Sequence, residues 1–145
     1  KKSDQVLQEL LDMFGVGYLS KDGFESVYDW DKLSRGEQQR LAIVRLFYHN
    51  PKFAILDECT SCINKNAEES LYNECRNRNI TAITISHRPA LTLFHDYRLV
   101  FDGEGGWSYE QIDHEKCTED ECVGIVISQY VHSEKDDTEA LAAAK

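Results

Sequence analysis

The chain has 145 residues, which is enough for one domain with a hydrophobic core and too few for two ordinary domains. Its 26 acidic and 16 basic side chains give a net charge of −10, the opposite sign to that of proteins that bind nucleic acid by neutralising phosphates. No apolar run approaches the roughly 18 residues needed to span a bilayer, so a membrane role would require a partner or another part of the protein.

The negative charge is concentrated in the last third of the sequence. Residues 1–100 carry 13 basic and 14 acidic side chains, whereas residues 101–145 carry 3 basic and 12 acidic ones. The acidity therefore says little about a site in the first hundred residues. We interpret residues 114–145 as an acidic C-terminal extension.

Two helices are predicted in the first fifty residues. Apolar residues at helical spacing indicate a helix over 6–14, followed by a polar and aromatic connection with at most one helical turn. Ser34 and Glu37 have the spacing of a capping box, which predicts that the second helix begins directly after Ser34. Asn50 and the proline after it should end this helix.

The next sixty residues alternate between strand and helix patterns. Short apolar runs predict two strands, at 53–56 and 80–86, each buried on both faces as in a parallel sheet. Helical patterns, a predicted hairpin and a last apolar stretch occupy the remaining segments: 67–78, 91–95, 99–101 with 107–112, and 123–131. The alternation predicts an α/β fold.

Reactive side chains follow both predicted strands. Asp57 and Glu58 come after the first strand, and His87 follows the second. Ligands of open α/β sheets bind at the carboxyl ends of strands, where one carboxylate could hold a metal through water and the other could polarise a nucleophilic water. A histidine there could contact a phosphoryl group. The alternative is a set of solvated surface side chains.

The start of the helix after Ser34 is a third candidate. Its free backbone N–H groups and positive dipole end could bind an anion, although a capped helix with no ligand has the same sequence pattern. The five cysteines, an odd number without a signal peptide, favour reduced thiols over a disulfide framework. A zinc site from the pairs 59/62 and 117/122 is a further alternative.

Four motifs resemble those of ATP-binding cassette (ABC) ATPases, in family order and at family-like spacing. They are the signature motif at 33–40, the Walker B strand at 53–58, the D-loop at 60–64 and the switch-histidine loop at 85–88. Further stretches are similar to the peroxisomal fatty-acyl-CoA half-transporters of subfamily D: Tyr28-Asp29-Trp30, 56–61, His87-Arg88-Pro89 and 101–107.

The resemblance implies roles for individual residues. Asp57 would order Mg²⁺ through water, Glu58 would be the general base for the hydrolytic water, and His87 would contact the γ-phosphate. ATP bound by the opposite protomer would be met by the signature residues and by one residue of the dimer interface: Ser34, Arg35, Gly36, Glu37 and Ser61. Two residues depart from the family pattern, Arg35 in place of a glycine and Asn64 where many members carry aspartate.

The resemblance also implies a partial P-loop NTPase fold with a mostly parallel sheet flanked by helices. The sequence contains no Gly-x-x-x-x-Gly-Lys-Ser/Thr loop, so the strand that carries this loop should be missing. Residues 1–52 would belong to the helical subdomain and 53–113 to the Walker B and switch-histidine portion. We expect the C-terminal half of an ATPase domain that powers membrane transport, inactive by itself.

The expected partners are a second nucleotide-binding domain and a membrane-spanning domain, with ATP and Mg²⁺ as ligands and no nucleic acid. The expected location is the cytosolic face of a membrane such as that of the peroxisome, and the expected cargo is fatty-acyl or a related lipid. Two alternatives remain. One is the C-terminal lobe of a DNA-repair or chromosome-maintenance ABC ATPase, and the other is a non-catalytic interaction module.

The missing strand leads to a structural prediction. In the family's sheet it lies between the switch-histidine strand and the next strand of the chain. Three outcomes are possible here: an open slot, an added element such as 123–131 in its place, or strand exchange with a second copy.

Overall fold

A computed structural model describes residues 3–115 and 124–127 of the chain. Within that part, three α-helices and five strands occur in the order predicted from the sequence. The helices are α1 (Asp4–Met13), α2 (Arg35–His49) and α3 (Lys65–Asn77), and the strands are β1 (Phe53–Asp57), β2 (Thr81–Ser86), β3 (Tyr97–Phe101), β4 (Trp107–Gln111) and β5 (Gly124–Ile127). Short 3₁₀ turns cover Gly17–Ser20, Trp30–Lys32 and Pro89–Phe94. None of the helices in these two ranges has the length and apolar composition to cross a bilayer.

The five strands form one sheet in the order β1-β2-β5-β3-β4. β1 and β2 are paired in parallel, as the α/β prediction requires, whereas β5 is antiparallel to both of its neighbours. β1, β2 and β3 therefore point in the same direction, but β5 separates β2 from β3. The predicted slot is closed by an added strand within 123–131, which is the second of the three outcomes.

The hydrophobic core lies between the helices and one face of the sheet. Phe14 of α1 stacks on Phe47 of α2 with their ring centroids 5.5 Å apart, and Ala54 and Leu56 of β1 belong to the same buried cluster. Burial of such side chains contributes about 1.5–3 kcal/mol each for the larger ones. Because residues on both sides of position 52 share this core, the described helices and strands pack together. The domain division itself stays a prediction.

The prediction that β1 is buried on both faces is wrong. Ala54 and Leu56 are buried, but Phe53 and Ile55 are 67% and 72% exposed. Ile85 of β2 is also partly exposed on this face. The physical reason is that Ala54 and Leu56 belong to one buried cluster with residues of α1, α2 and α3, which lies on one face of β1 only. None of the described elements covers the opposite side.

A chain of buried polar side chains crosses the core. Tyr72 of α3 lies 3.2 Å from the hydroxyl of Thr84 in β2, and this hydroxyl lies 2.8 Å from Nε2 of His95. Nδ1 of His95 lies 2.7 Å from the carbonyl oxygen of Leu91. Burial lowers the pKa of His95 to about 4, so the ring is neutral at pH 7. With Nδ1–H donating to Leu91, Nε2 accepts from Thr84.

Candidate nucleotide site

Asp57 and Glu58 lie where β1 leaves the sheet. Asp57 is the last residue of the strand and is exposed, while Glu58 has a left-handed backbone with φ of 46°. The Glu58 amide donates to the carbonyl of Ile85 at 3.0 Å, so the turn stays attached to β2. A non-glycine residue at positive φ costs about 1 kcal/mol, and strain of this kind often accompanies functional turns.

His87 follows β2, and the structure brings it to Glu58. His87 Nε2 lies 3.8 Å from Glu58 Oε1, which is too long for a hydrogen bond. Glu58 Oε1 is buried and has no hydrogen-bond partner in the described part of the chain, whereas His87 is 83% exposed. A buried carboxylate oxygen without a hydrogen-bond partner is unusual in folded proteins and distinguishes Glu58 from the other acids described here.

The predicted capping box forms at the start of α2. Ser34 Oγ accepts from the Glu37 amide at 3.3 Å, and Glu37 Oε2 accepts from the amide and the hydroxyl of Ser34 at 2.7 and 2.6 Å. The Tyr18 hydroxyl donates to Glu37 Oε1. The hydrogen bonds from Ser34 and Tyr18 lower the pKa of Glu37 to about 2. Glu37 is therefore ionised and has its oxygens occupied by residues of its own chain.

An anion at this helix end would meet mixed charges. The first-turn amides of α2, at Arg35 and Gly36, have no partner inside the helix because the first intrahelical donor is Gln38. Arg35 is exposed, and its guanidinium forms no hydrogen bond or ion pair among the described residues. The positive charge of Arg35 offsets the negative charge of Glu37, so a phosphate could approach these amides without net repulsion.

Close backbone contact joins the start of α2 to the turn after β1. A Cβ atom added to Gly36 would lie 2.9 Å from the carbonyl oxygen of Cys62, a distance that requires glycine. Gln39 extends the contact by donating to Ser61 Oγ at 2.9 Å and accepting from the Cys62 amide at 2.9 Å. The predicted site residues Gly36 and Ser61 are thus neighbours. Gln39, which was not predicted as a site residue, connects their segments.

An ion pair between a buried carboxylate and a partly exposed arginine attaches the His87 loop to α3. Both terminal nitrogens of Arg88 contact the carboxylate of Glu68 in α3, and Nη1 also donates to Thr60. This role of Glu68 was not predicted from the sequence. The sequence did contain a signal, because Glu68 lies at helical spacing from the buried residues of α3, which are Leu71, Tyr72 and Cys75. Glu68 is the one acidic residue on this buried face of α3.

The residues fit a magnesium ion that is held mainly by water and phosphate. No group of three or more potential metal ligands exists within 3–115 and 124–127, so the zinc alternative gains no support from Cys59 and Cys62, which are free thiols. Cys117 and Cys122 lie outside the described residues. Mg²⁺ with nucleotides commonly uses one or two carboxylates and keeps several waters, which the exposed Asp57 can satisfy.

A separate apolar cavity of about 360 Å³ lies between α1, the 18–33 connection and α2. Leu11, Leu41 and Trp30 contribute to its wall. None of the predicted catalytic or ATP-binding residues lines it. The cavity therefore belongs to the helical part of the chain and not to the strand ends.

Comparison with known proteins gives the family. Residues 1–61 match the family model described as ABC transporter. The chain is 49% identical over 113 residues to the ATP-binding cassette sub-family D member 3 of Mus musculus, which covers 76% of this chain and 17% of the mouse protein. It is 59% identical over 85 residues to the ABC transporter D family member 1 of Arabidopsis thaliana, covering 58% of the chain and 6% of the plant protein.

The name of a third relative includes its cargo. The lysosomal cobalamin transporter ABCD4 of Mus musculus is 39% identical over 114 residues, covering 75% of this chain and 19% of that protein. The chain thus spans less than a fifth of the length of these curated relatives. Together with the ordered motifs and the α/β sheet, the matches show that the chain belongs to the ABC transporter family and that these relatives are members of its subfamily D.

Proposed function

We propose that this chain is the C-terminal half of a nucleotide-binding domain that hydrolyses ATP to drive transport across a membrane. One observation carries the proposal. Glu58 and His87 follow two neighbouring parallel strands, and His87 Nε2 lies 3.8 Å from Glu58 Oε1, a buried oxygen without a hydrogen-bond partner in the described part of the chain. This arrangement is suited to activating a water beside a phosphoryl group.

Glu58 is the proposed general base. The Glu58 side chain is 42% exposed, so its carboxylate can meet an attacking water and accept a proton from it, and the turn that holds it is attached to β2 through the Ile85 carbonyl. The ring of His87 is 83% exposed and forms no hydrogen bond within the described part of the chain, so it can donate one to a terminal phosphate. Mg²⁺, held through water at Asp57, would supply charge neutralisation on the phosphates.

The start of α2 is proposed to contact ATP bound by the partner domain of a dimer. Free amides at Arg35 and Gly36 and the unpaired Arg35 guanidinium are the available donors. The oxygens of Ser34 and Glu37 are engaged with each other, so we assign these two residues mainly to shaping the helix end. Ser61, held by Gln39, would lie at the dimer interface.

The cargo is proposed to be a fatty-acyl compound or a related lipid, moved by a membrane-spanning domain of the same transporter, with the peroxisome as its organelle. The support is the resemblance of the stretches 28–30, 56–61, 87–89 and 101–107 to fatty-acyl-CoA half-transporters. A second candidate is cobalamin in a lysosome, favoured only by the name of one relative.

A chimera tests the function. The 113 matched residues of this chain replace the corresponding stretch of the mouse sub-family D member 3, and Mg²⁺-dependent ATPase activity is measured in lipid vesicles. We expect activity that the Glu58→Gln variant lowers about a thousandfold while ATP stays bound. Stimulation by acyl-CoA but not by cobalamin would support the lipid cargo. A folded, ATP-binding chimera without ATPase activity would contradict the proposal and favour the non-catalytic module.

A further inference from the structure

Arg88 connects three parts of the site through one side chain. It follows His87 directly, and its Nη1 donates to both the carbonyl oxygen and the hydroxyl of Thr60 at 3.4 and 3.3 Å. Thr60 belongs to the turn that begins with Glu58. The same guanidinium forms a two-pronged contact with Glu68 of α3, with Nη2 and Oε2 at 3.1 Å. The loops that carry Glu58 and His87 therefore share one cation.

Burial makes this contact rigid. The side chain of Glu68 is 4% exposed and Thr60 is 3% exposed, whereas Arg88 is 42% exposed and reaches inward from the surface. An ionised carboxylate at that depth needs a cation, and a planar guanidinium satisfies both of its oxygens at once. Any movement of Arg88 would leave a buried charge uncompensated, so the His87 loop is held to α3.

The turn after β1 is also held from its other side. Gln39 of α2 donates to the carbonyl of Glu58 at 3.3 Å and to Ser61 Oγ at 2.9 Å. With Gln39 on one side and Arg88 on the other, the turn has fixed contacts with both α2 and the His87 loop. Glu58 itself, in contrast, keeps one oxygen without a partner. The position of its side chain therefore depends on the backbone hydrogen bonds of Glu58 and on the contacts of the turn.

We infer that Arg88 is a positioning residue that fixes the separation between His87 and Glu58 by holding Thr60 and Glu68 together. The inference rests on the proposed ATPase function for its catalytic consequence, but its structural content concerns only contacts within this chain. A lysine at position 88 would keep the charge and lose the planar two-pronged geometry, so charge alone should not preserve the arrangement.

Catalysis in the chimera tests the consequence. In Arg88→Lys we expect kcat for ATP hydrolysis to fall about a hundredfold while KM for ATP stays within about twofold, because a misplaced base harms the reaction more than binding. Arg78→Lys is the matched control. Arg78, the residue after α3, pairs with Glu74 at 2.5 Å and donates to the carbonyl oxygen of Phe47, and neither partner belongs to the two loops, so kcat of this variant should stay unchanged. Equal effects of the two variants, or an unchanged kcat in Arg88→Lys, would overturn the inference.

Spectra of the 145-residue chain give a test that does not depend on ATPase activity. In amide ¹H–¹⁵N spectra, Arg88→Lys and Glu68→Gln should each shift the signals of residues 58–61 and of His87, whereas Arg78→Lys should shift neither. A double variant, Glu68→Leu with Arg88→Met, removes both charges, so it should be thermally more stable than a variant that removes only one of them. The signals of residues 58–61 should still be shifted in the double variant, because the contact between Arg88 and Thr60 is lost.

The two measurements separate the two claims. If the parent chimera lacks ATPase activity and the spectra show the coupled shifts, the proposed function fails and the positioning role of Arg88 stands. If Arg88→Lys leaves the signals of residues 58–61 in place, the positioning role fails whatever the ATPase result.

Discussion

Two carboxylates, those of Glu58 and Glu68, lie near the His87 loop and differ in whether their oxygens are paired. Glu68 is buried and fully paired with Arg88, whereas Glu58 has a buried oxygen that meets only His87, at 3.8 Å. Proteins normally satisfy buried polar atoms, so the unpartnered oxygen sets Glu58 apart and supports its proposed role. The comparison separates a carboxylate that stabilises the fold from one that is proposed to act in catalysis.

Removal of the Glu58 charge should give the largest effect of all, and this effect should be on ATP hydrolysis and not on the stability of the fold. Glu58→Gln is expected to lower ATP hydrolysis in the chimera about a thousandfold, since a glutamine cannot accept the proton of the attacking water. Its free energy of unfolding should change by less than about 0.5 kcal/mol because no hydrogen bond is lost. Urea unfolding and an ATPase assay measure the two quantities. A large loss of stability would place Glu58 in the same class as Glu68.

Removal of the Glu68 carboxylate should have the opposite profile. Glu68→Ala leaves the Arg88 cation without its partner and creates a small cavity, so we expect a loss of about 3 kcal/mol in the free energy of unfolding. The partial exposure of Arg88 keeps the loss at the lower end for such pairs. Glu69→Ala, one position further along α3, is the control and should cost less than about 0.5 kcal/mol. Similar urea midpoints for both variants would contradict the assigned role of Glu68.

Acid should weaken the fold through His95. Its pKa is about 4 in the folded chain and about 6.5 when unfolded, so the unfolded state binds the proton more tightly. The neutral ring's contribution is complete above pH 6.5 and is lost as the pH falls towards 4, by up to about 3 kcal/mol. The free energy of unfolding, measured with urea at several pH values in this range, should fall less with decreasing pH in His95→Gln than in the parent chain.

Filling the close contact at Gly36 should produce the smallest of these effects. A methyl group there would lie 2.9 Å from a backbone oxygen, which can move only with the turn, so Gly36→Ala should cost about 2 kcal/mol. Gly17→Ala is the comparison. Its methyl group would meet the end of the flexible Asp12 side chain, which can rotate away. A thermal shift assay that ranks Gly17→Ala as the worse variant would show that the turn after β1 yields easily.

Local patterns explain what the sequence predicted correctly. The capping box at Ser34 and Glu37, the strand before Asp57 and the hairpin of β3 and β4 all depend on residues near one another in the chain. The motif order also placed Glu58 and His87 at adjacent strand ends, where the structure has them.

Contacts between distant residues account for what the sequence did not predict. The pairing of Arg88 with Glu68 and of Gln39 with the 58–62 turn joins positions about twenty residues apart, and nothing in a local pattern specifies the partner. The open face of β1 was missed for a related reason. An apolar run such as 53–56 shows that side chains can be buried but does not show whether two layers exist to bury them.

The placement of β5 has a consequence for the order in which the sheet can form. β2 and β3 lie close together in sequence, but each pairs with residues 124–127 and not with the other. During synthesis from the N-terminus, the β1–β2 pair and the β3–β4 hairpin can form early, yet their backbones are not joined in one sheet until Ile127 has emerged from the ribosome. Because closing such long loops is slow, both pairs expose an unpaired edge in the meantime, and truncation before residue 124 would make that exposure permanent.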